Sequence, residues 1–477
     1  MCGIVGYIGT KQAVPMLMNG LRRLEYRGYD SAGISVLGSK GVEVRKTKGR
    51  VQDLQNLLDH NGVEGCAGIG HTRWATHGEP SDVNSHPHID GPGCIAVIHN
   101  GIIENHRKLR EWLKEQGCVF RSGTDTEVIA HLLSVYYEGD MLKALCKALT
   151  VLEGSFALGI LCQHEPDKLF CARKDSPLIA AKADHGCLIA SDIPAILEYT
   201  RDVYLLENMD IAVLQKDGVA IYDQLGQPVD RELLHVDWNI EVAEKGGYEH
   251  FMAKEIHEQP KALHDTLKPM LERIDGQWTL RNSILQIDDA LVRSFSHICI
   301  IACGTAYHAG IVGKCVFERL LRVPVETDIA SEYRYRDPVM MPDTLYIIIS
   351  QSGETADTLA AMREAKKKGG KVLAITNVVG SSVAREADYV IQTWAGPEIA
   401  VASTKAYTSQ LMVLYALGVE FARRRGTLTA QAASFLFDEL LGLEEKAAQV
   451  LSDVDGIQRF AHQHFDRHSV FFLGRGL

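Results

Sequence analysis

Nowhere in these 477 residues do two cysteines form a C-x-x-C pair, although the chain carries 11 of them. An odd, scattered set excludes a disulfide framework and a zinc ribbon, and is the pattern of mostly buried thiols in a reducing cytoplasm. A basic excess is also missing. Lys and Arg number 50 against 61 Asp and Glu, a net charge of −11. That argues against a non-specific nucleic-acid binder, while leaving room for small anions held by a few local donors. No apolar run is long enough to span a bilayer, and the amino terminus has neither the basic region nor the apolar core of a secretory leader. The reading is therefore no membrane partner and a cytoplasmic location. The remaining balance, 46% hydrophobic and 23% charged, is that of a globular protein, and the length calls for two to four domains.

Among what is present, the terminus Met1-Cys2-Gly3-Ile4-Val5-Gly6 organises the rest. A small second residue favours removal of Met1, which leaves Cys2 with a free α-amino group. The residues behind it read as a short buried strand ending in a turn. An α-amine has a pKa of roughly 7.7–8.0, so it can serve as base for the thiol of its own residue.

From Gly3 to about Asp223 the texture is short apolar runs broken by glycines. Val14, Leu17, Met18, Leu21 and Leu24 fall at helical spacing, with Pro15 tolerable in the first turn. A helix is expected over 105–116, and another after Thr124-Asp125-Thr126-Glu127, read as a capping box. Strands are expected at Ser155–Cys162, Lys168–Ala172, Leu178–Ala181, Cys187–Ala190 and Ile211–Leu214. The sum is an α+β layered domain of stacked sheets with helices outside. Residues 236–271 turn charged and polar, as a linker running into a helix. Beyond them apolar strands (298–302, 345–349, 371–376, 389–393) alternate with glycine turns and helices, the rhythm of an α/β doubly wound parallel sheet closed by the helix 406–423. Ser469–Leu473 reads as one more strand, echoing 298–304 as the start of a second copy.

Several stretches carry chemistry. In His71–Pro80 (HTRWATHGEP) an arginine, threonine and histidine can clamp a small zwitterion, the arginine taking its carboxylate bidentately. The metal alternative, His71, His77, His86 and His88, lacks the spacing of known zinc patterns. His99-Asn100-Gly101 is expected to end a strand, where an amide and a glycine N–H are the donors an oxyanion hole needs; a plain Asn-Gly turn is the other reading. Asp125 either complements a helix dipole or receives a substrate ammonium. Ser350–Thr355 is a hydroxyl-rich loop after a parallel strand, opening a helix, and so suits a dianion; a serine cap without ligand is the alternative.

Met1–Gly6, Leu24–Gly33 (LEYRGYDSAG), His71–Pro80, His99–Asn105 (HNGIIEN) and Thr124–Ile129 (TDTEVI) together resemble the glutaminase domain of N-terminal-nucleophile amidotransferases. Ala302–Thr305 (ACGT), Ser350–Thr358 (SQSGETADT) and Val401–Lys405 (VASTK) resemble the sugar-isomerase (SIS) domain of the glucosamine-6-phosphate synthase family. The match runs in order from residue 2 to 476. It implies a type-2 glutamine amidotransferase domain over 2–223, a linker and connecting helix over 224–285, a first SIS domain over 286–427, and the start of a second over 428–477.

The resemblance also implies roles. Cys2 would attack the carboxamide of L-glutamine, Asn100 and Gly101 would stabilise the oxyanion, and Arg73, Thr76, His77 and Asp125 would hold the amino-acid end. Trp74 would gate ammonia. Thr305, Ser350, Gln351, Ser352 and Thr355, with Ser403 as a weaker addition, would bind the phosphate of fructose 6-phosphate. No metal or organic cofactor is called for, and the family implies a homodimer. In the family a second SIS copy follows the FLGRG turn and supplies the groups that open and isomerise the sugar. A full second copy needs on the order of 130 residues, so the expectation for this chain is glutamine hydrolysis without synthase activity and a mobile segment after about Asp438. Asparagine synthetase and amidophosphoribosyltransferase share the glutaminase, but their ATP-loop and diphosphate-binding motifs are not found. A sugar-phosphate-binding or regulatory protein is the non-enzyme alternative, disfavoured by Cys2.

Overall fold

A computed structural model describes residues 2–25, 28–74, 79–236 and 247–474. The chain divides into two compact units, residues 1–243 and 244–477. The linker sequence around 237–246, along with Thr76 and His77, lies outside the described residues.

The first unit stacks two antiparallel sheets. One has eight strands in the order Leu233–His235, Asp202–Leu205, Ile179–Ala183, Gly186–Ala190, Gly3–Gly9, Ala67–Arg73, Ser31–Gly38, Gly41–Lys48. The other has six: Gly218–Tyr222, Ile211–Gln215, Leu169–Lys174, Gly154–Cys162, Ile95–Ile103, His88–Ile89. Strand alternation assigns the faces. Ile4 and Ile8 point into the interleaf core with Ile69, Ile98, Ala157 and Ile189. Val5 and Tyr7 point the other way, onto Leu17, Leu21 and Leu24 of the helix Ala13–Leu24. Helices His106–Glu115, Glu127–Tyr136 and Met141–Leu149 cover the outer face of the second sheet at Val97, Ile160 and Phe170. The amino-terminal strand thus lies in the middle of the larger sheet, between Ala67–Arg73 and Gly186–Ala190, where apolar packing on both sides holds it.

The second unit centres on five parallel strands in the order Val325–Ile329, His297–Ala302, Thr344–Ser350, Lys371–Thr376, Tyr389–Gln392. Both faces are covered, so the strands read as continuous apolar runs. Helices Gly304–Leu321 and Lys405–Arg425 pack on the face of Ile298, Ile300, Ile347 and Ile375. Helix Ala356–Lys367 packs on the opposite face, against Ile301, Ile348 and Val372.

Residues 224–285, which the resemblance makes a linker and connecting helix, contribute to both units. Leu233–His235 is the outer strand of the eight-stranded sheet, and Leu263, Leu267, Leu271 and Leu280 enter the core of the second unit.

Three local expectations change. The capping box at Thr124–Glu127 does not form: the helix starts at Glu127, with no side-chain bond from Thr126 at its cap. Instead the Glu127 carboxylate turns to the preceding loop, accepting from the N–H groups of Arg121 and Ser122 (2.7 Å each) and from Ser122 Oγ (2.8 Å). Asn100-Gly101 does not end a strand, because Ile95–Ile103 continues through it. Ser469–Leu473 is not a strand. Among the described residues its backbone meets no strand to exchange ladder bonds with, and Phe471, Phe472 and Leu473 are 86–95% exposed.

Glu127 yields a pH prediction. Burial alone would raise its pKa, but His131 and the Arg121 and Ser122 donors bring it down to about 2. With the folded pKa below the unfolded value of about 4.3, its stabilisation is full above that value and is lost as pH falls through about 2. Glu127→Gln should lower Tm at pH 7, and the gap from wild type should close between about pH 5 and 2 in thermal unfolding. A gap constant across that window would assign the effect to packing.

Candidate active site

Cys2 stands at the mouth of the central strand, and the backbone of one neighbouring residue holds its sulfur. Sγ accepts from the Trp74 N–H (3.2 Å) and faces the Trp74 carbonyl as donor (3.4 Å). Steric gaps make this approach possible. A Cβ at Gly3 would lie 2.6 Å from Thr72 Oγ1 and 2.7 Å from Leu24 Cβ. At Gly28 a Cβ would lie 2.9 Å from Trp74 N, against the very peptide that serves the sulfur. Ser191 Oγ accepts from Ile4 N at 2.9 Å and fixes the strand just behind. Burial pushes the Cys2 thiol pKa up, against the pull of the Trp74 N–H and of Arg73. A thiol so placed is protonated at neutral pH and needs a base to react.

Opposite the thiol, Asn100 Nδ2 donates to the Cys2 carbonyl (2.9 Å) and Asn100 Oδ1 meets His71 Nε2 (2.9 Å). Since Oδ1 can only accept, His71 Nε2 carries the hydrogen. Burial brings the His71 pKa down to about 3, so the ring is neutral. Gly101 sits at φ +118°, and a Cβ there would lie 2.1 Å from the Ser155 carbonyl, so only glycine lets the strand pass. Arg73 is buried; desolvation lowers its pKa, while the carboxylates of Asp125 and Asp30 pull it upward. Asp125, also buried, accepts from Ile103 N at 2.8 Å through one oxygen. Trp74 is 38% exposed and stands edge-on to Tyr29.

In the second unit, helices Gly304–Leu321 and Ala356–Lys367 leave the carboxyl ends of adjacent strands and run to opposite faces of the sheet. In chain order the strands lie 2-1-3-4-5, so this is the topological switch point, where open α/β sheets form their ligand crevice. Thr305 is exposed in the first turn of one helix, and Ser350, Gln351, Ser352 and Thr355 lead into the other. Neither serine is a helix cap. Ser350 Oγ accepts from Gly353 N (3.0 Å) and Ser352 Oγ from Glu354 N (3.2 Å), both inside the loop. No side chain caps either helix. Ser403 is placed differently: it donates to Glu398 Oε2 (2.8 Å), whose other oxygen accepts from Thr404 N and Ala406 N at the head of the helix Lys405–Arg425.

Residues 71–198 match the glutamine amidotransferase domain and residues 291–420 the SIS domain. The chain is 55% identical over 477 residues to the glutamine–fructose-6-phosphate aminotransferase (isomerizing) of Caldanaerobacter subterraneus subsp. tengcongensis, covering all of this chain and 78% of that protein. It belongs to the glutamine–fructose-6-phosphate aminotransferase family.

The Thermus thermophilus aminotransferase is 46% identical, again over all of this chain and 78% of the relative. A solved C-terminal domain of glucosamine-fructose-6-phosphate aminotransferase from Francisella tularensis is 39% identical, covers 47% of this chain and 61% of its own, and superposes with a TM-score of 0.44.

Of the residues singled out in the aminotransferase sequence, the structure brings Cys2, Arg73, Trp74 and Asn100 together, with Gly101 next to Asn100 and Asp125 among the charges acting on Arg73. His71, a metal candidate by sequence, instead bonds Asn100 Oδ1 and orients that amide. The available clue was its position two residues before Arg73 on one strand, hence on the same face. His86 stacks on His71 with ring centroids 4.2 Å apart, and His88 stands edge-on to His86 at 4.9 Å. These three rings pack on one another, and burial holds all three pKa values down.

Proposed function

We propose that this aminotransferase releases the amide nitrogen of L-glutamine at Cys2 and holds fructose 6-phosphate, the acceptor of that nitrogen in the family, at the switch-point crevice. The observation that carries the reading is the pair of contacts on Cys2: sulfur against the Trp74 backbone, carbonyl against the Asn100 amide. With Met1 removed, the α-amine of Cys2 takes the thiol proton and the thiolate attacks the carboxamide carbon. The oxyanion then receives the second Nδ2 hydrogen of Asn100 and the Gly101 N–H. Collapse expels ammonia, which leaves with the proton from the α-ammonium, and water hydrolyses the thioester to glutamate. Arg73 takes the glutamine carboxylate and Asp125 its ammonium, Thr76 and His77 are assigned to the same end of glutamine by their sequence motif alone, and Trp74 gates the ammonia. Eleven free cysteines suit the cytoplasm, and no helix among the described residues is long and apolar enough to cross a membrane.

In the crevice, Thr305, Ser350, Gln351, Ser352 and Thr355 surround the phosphate, with two uncapped helix N-termini supplying N–H donors. Ser403, whose hydroxyl is committed to Glu398, is left out of this set. The overall test supplies glutamine and fructose 6-phosphate and measures glutamate and amino sugar separately. Glutamate formation unaffected by loss of Cys2 would overturn the reading.

Ser352→Ala tests the crevice. It should weaken fructose 6-phosphate binding by about tenfold in calorimetric titration, the loss of one charge-assisted bond of roughly 1.5 kcal/mol. The melting temperature should hold, since Ser352 caps no helix. Unchanged affinity with a lowered Tm would make it structural only.

A further inference from the structure

Lys46 lies on the strand Gly41–Lys48 and has no place in the chemistry above. Its ammonium group donates to three carbonyls of one short segment: Val83 (3.2 Å), Ser85 (2.7 Å) and Pro87 (3.0 Å). Three N–H donors meet three acceptors, so the group is fully used. Burial lowers its pKa to about 8, with Glu127 and Asp82 pulling upward, which leaves it mostly protonated at neutral pH. The segment it gathers contains His86. That residue's carbonyl presses on Gly33, where a Cβ would lie 2.2 Å away, and its Nδ1 accepts from His99 N at 3.3 Å. The His86 ring stacks on His71, and His71 donates to Asn100.

We propose that Lys46 is a positioning residue for glutamine hydrolysis: by gathering the carbonyls of residues 83–87 it sets His86 under His71, and so fixes the amide of Asn100 against Cys2. The chain of contact is continuous, and every ring in it is buried and neutral. Without the ammonium, the carbonyls of Val83, Ser85 and Pro87 lose their shared donor and the segment shifts. His86 then no longer backs His71, and the Asn100 amide loses its fixed direction. Misplacing an oxyanion donor reduces kcat more than it alters substrate affinity, because the donor acts on charge that develops only in the transition state. The proposal rests on the oxyanion role given to Asn100.

The test is a double-mutant cycle of Lys46→Met and Asn100→Ala, with kcat and KM for glutamine measured per active site titrated by an electrophilic glutamine analogue. Lys46→Met should lower kcat about 10- to 100-fold with KM within about twofold. In the Asn100→Ala background it should add less than about twofold, because what it positions is already gone. Multiplicative effects, or an unchanged kcat per titrated site with only fewer sites or a lower Tm, would overturn the proposal. Should Lys46→Met not fold, Lys46→Gln, which can serve fewer of the carbonyls, goes through the same cycle with the same expectation. If Asn100→Ala alone leaves kcat intact, it is the oxyanion reading that fails, and Lys46 loses its object with it.

Discussion

Cys2→Ser is expected to reduce glutamine hydrolysis by at least about 10⁴-fold, the scale on which losing a covalent nucleophile counts. A blocked α-amine should do nearly as much harm with the thiol intact. The reason lies in the site: burial raises the thiol pKa, and the Trp74 N–H and Arg73 only partly offset it. The thiol therefore depends on a base, and the α-amine of the same residue is the one the chain order provides. The measurement compares glutamate release by enzyme with a processed terminus and by enzyme carrying an amino-terminal extension, each verified by intact mass. Full activity in the extended protein would falsify the amine's role, even if Cys2→Ser remained inactive.

Asn100→Ala should lower kcat for glutamine about 10²- to 10³-fold, the cost of one oxyanion donor, with KM changed only a few-fold. Asn100→Asp is the sharper case. It keeps the shape, but sets a carboxylate oxygen against the Cys2 carbonyl, where Nδ2 now donates at 2.9 Å. The new charge also favours protonation of His71, whose pKa burial now holds at about 3. Loss of activity should at least equal that of the alanine variant, with a lower Tm from the added repulsion. A wild-type kcat in either variant would remove Asn100 from the mechanism.

Much of the layered architecture was legible because both units obey strand and helix periodicity closely. Val5 and Tyr7 against Ile4 and Ile8 is an alternation any reader of the sequence can assign to two apolar faces. Other features depended on contacts remote in sequence. Asn100-Gly101 resembles a turn in isolation. It stays in the strand because the pairing with Gly154–Cys162 carries the chain through, and because Gly101 tolerates a backbone that other residues resist. Glu127 sits where a capping box places its glutamate, but donors on Arg121 and Ser122 compete for it and win. Ser403 looks like a ligand residue until Glu398, five positions earlier, takes its hydroxyl. Lys46 gave no signal at all. Its role rests on carbonyls some forty residues away, and backbone acceptors leave no mark in side-chain spelling.

The placement of the first strand has a consequence for the processing that the proposed role of Cys2 requires. Gly3–Gly9 completes its hydrogen bonds only when Gly186–Ala190 is available on its other side. At ribosomal rates of 5–20 residues per second, roughly 10–40 s separate the emergence of these two segments. Throughout that interval the terminus cannot be in its final sheet, and an aminopeptidase can reach the Met1–Cys2 bond. Once the sheet closes, Ile4 and Val5 are fully buried and the terminus stays where the strand puts it. On that reading of Cys2, the order of translation serves as a maturation clock, leaving Met1 open to removal before the strand is paired on both sides.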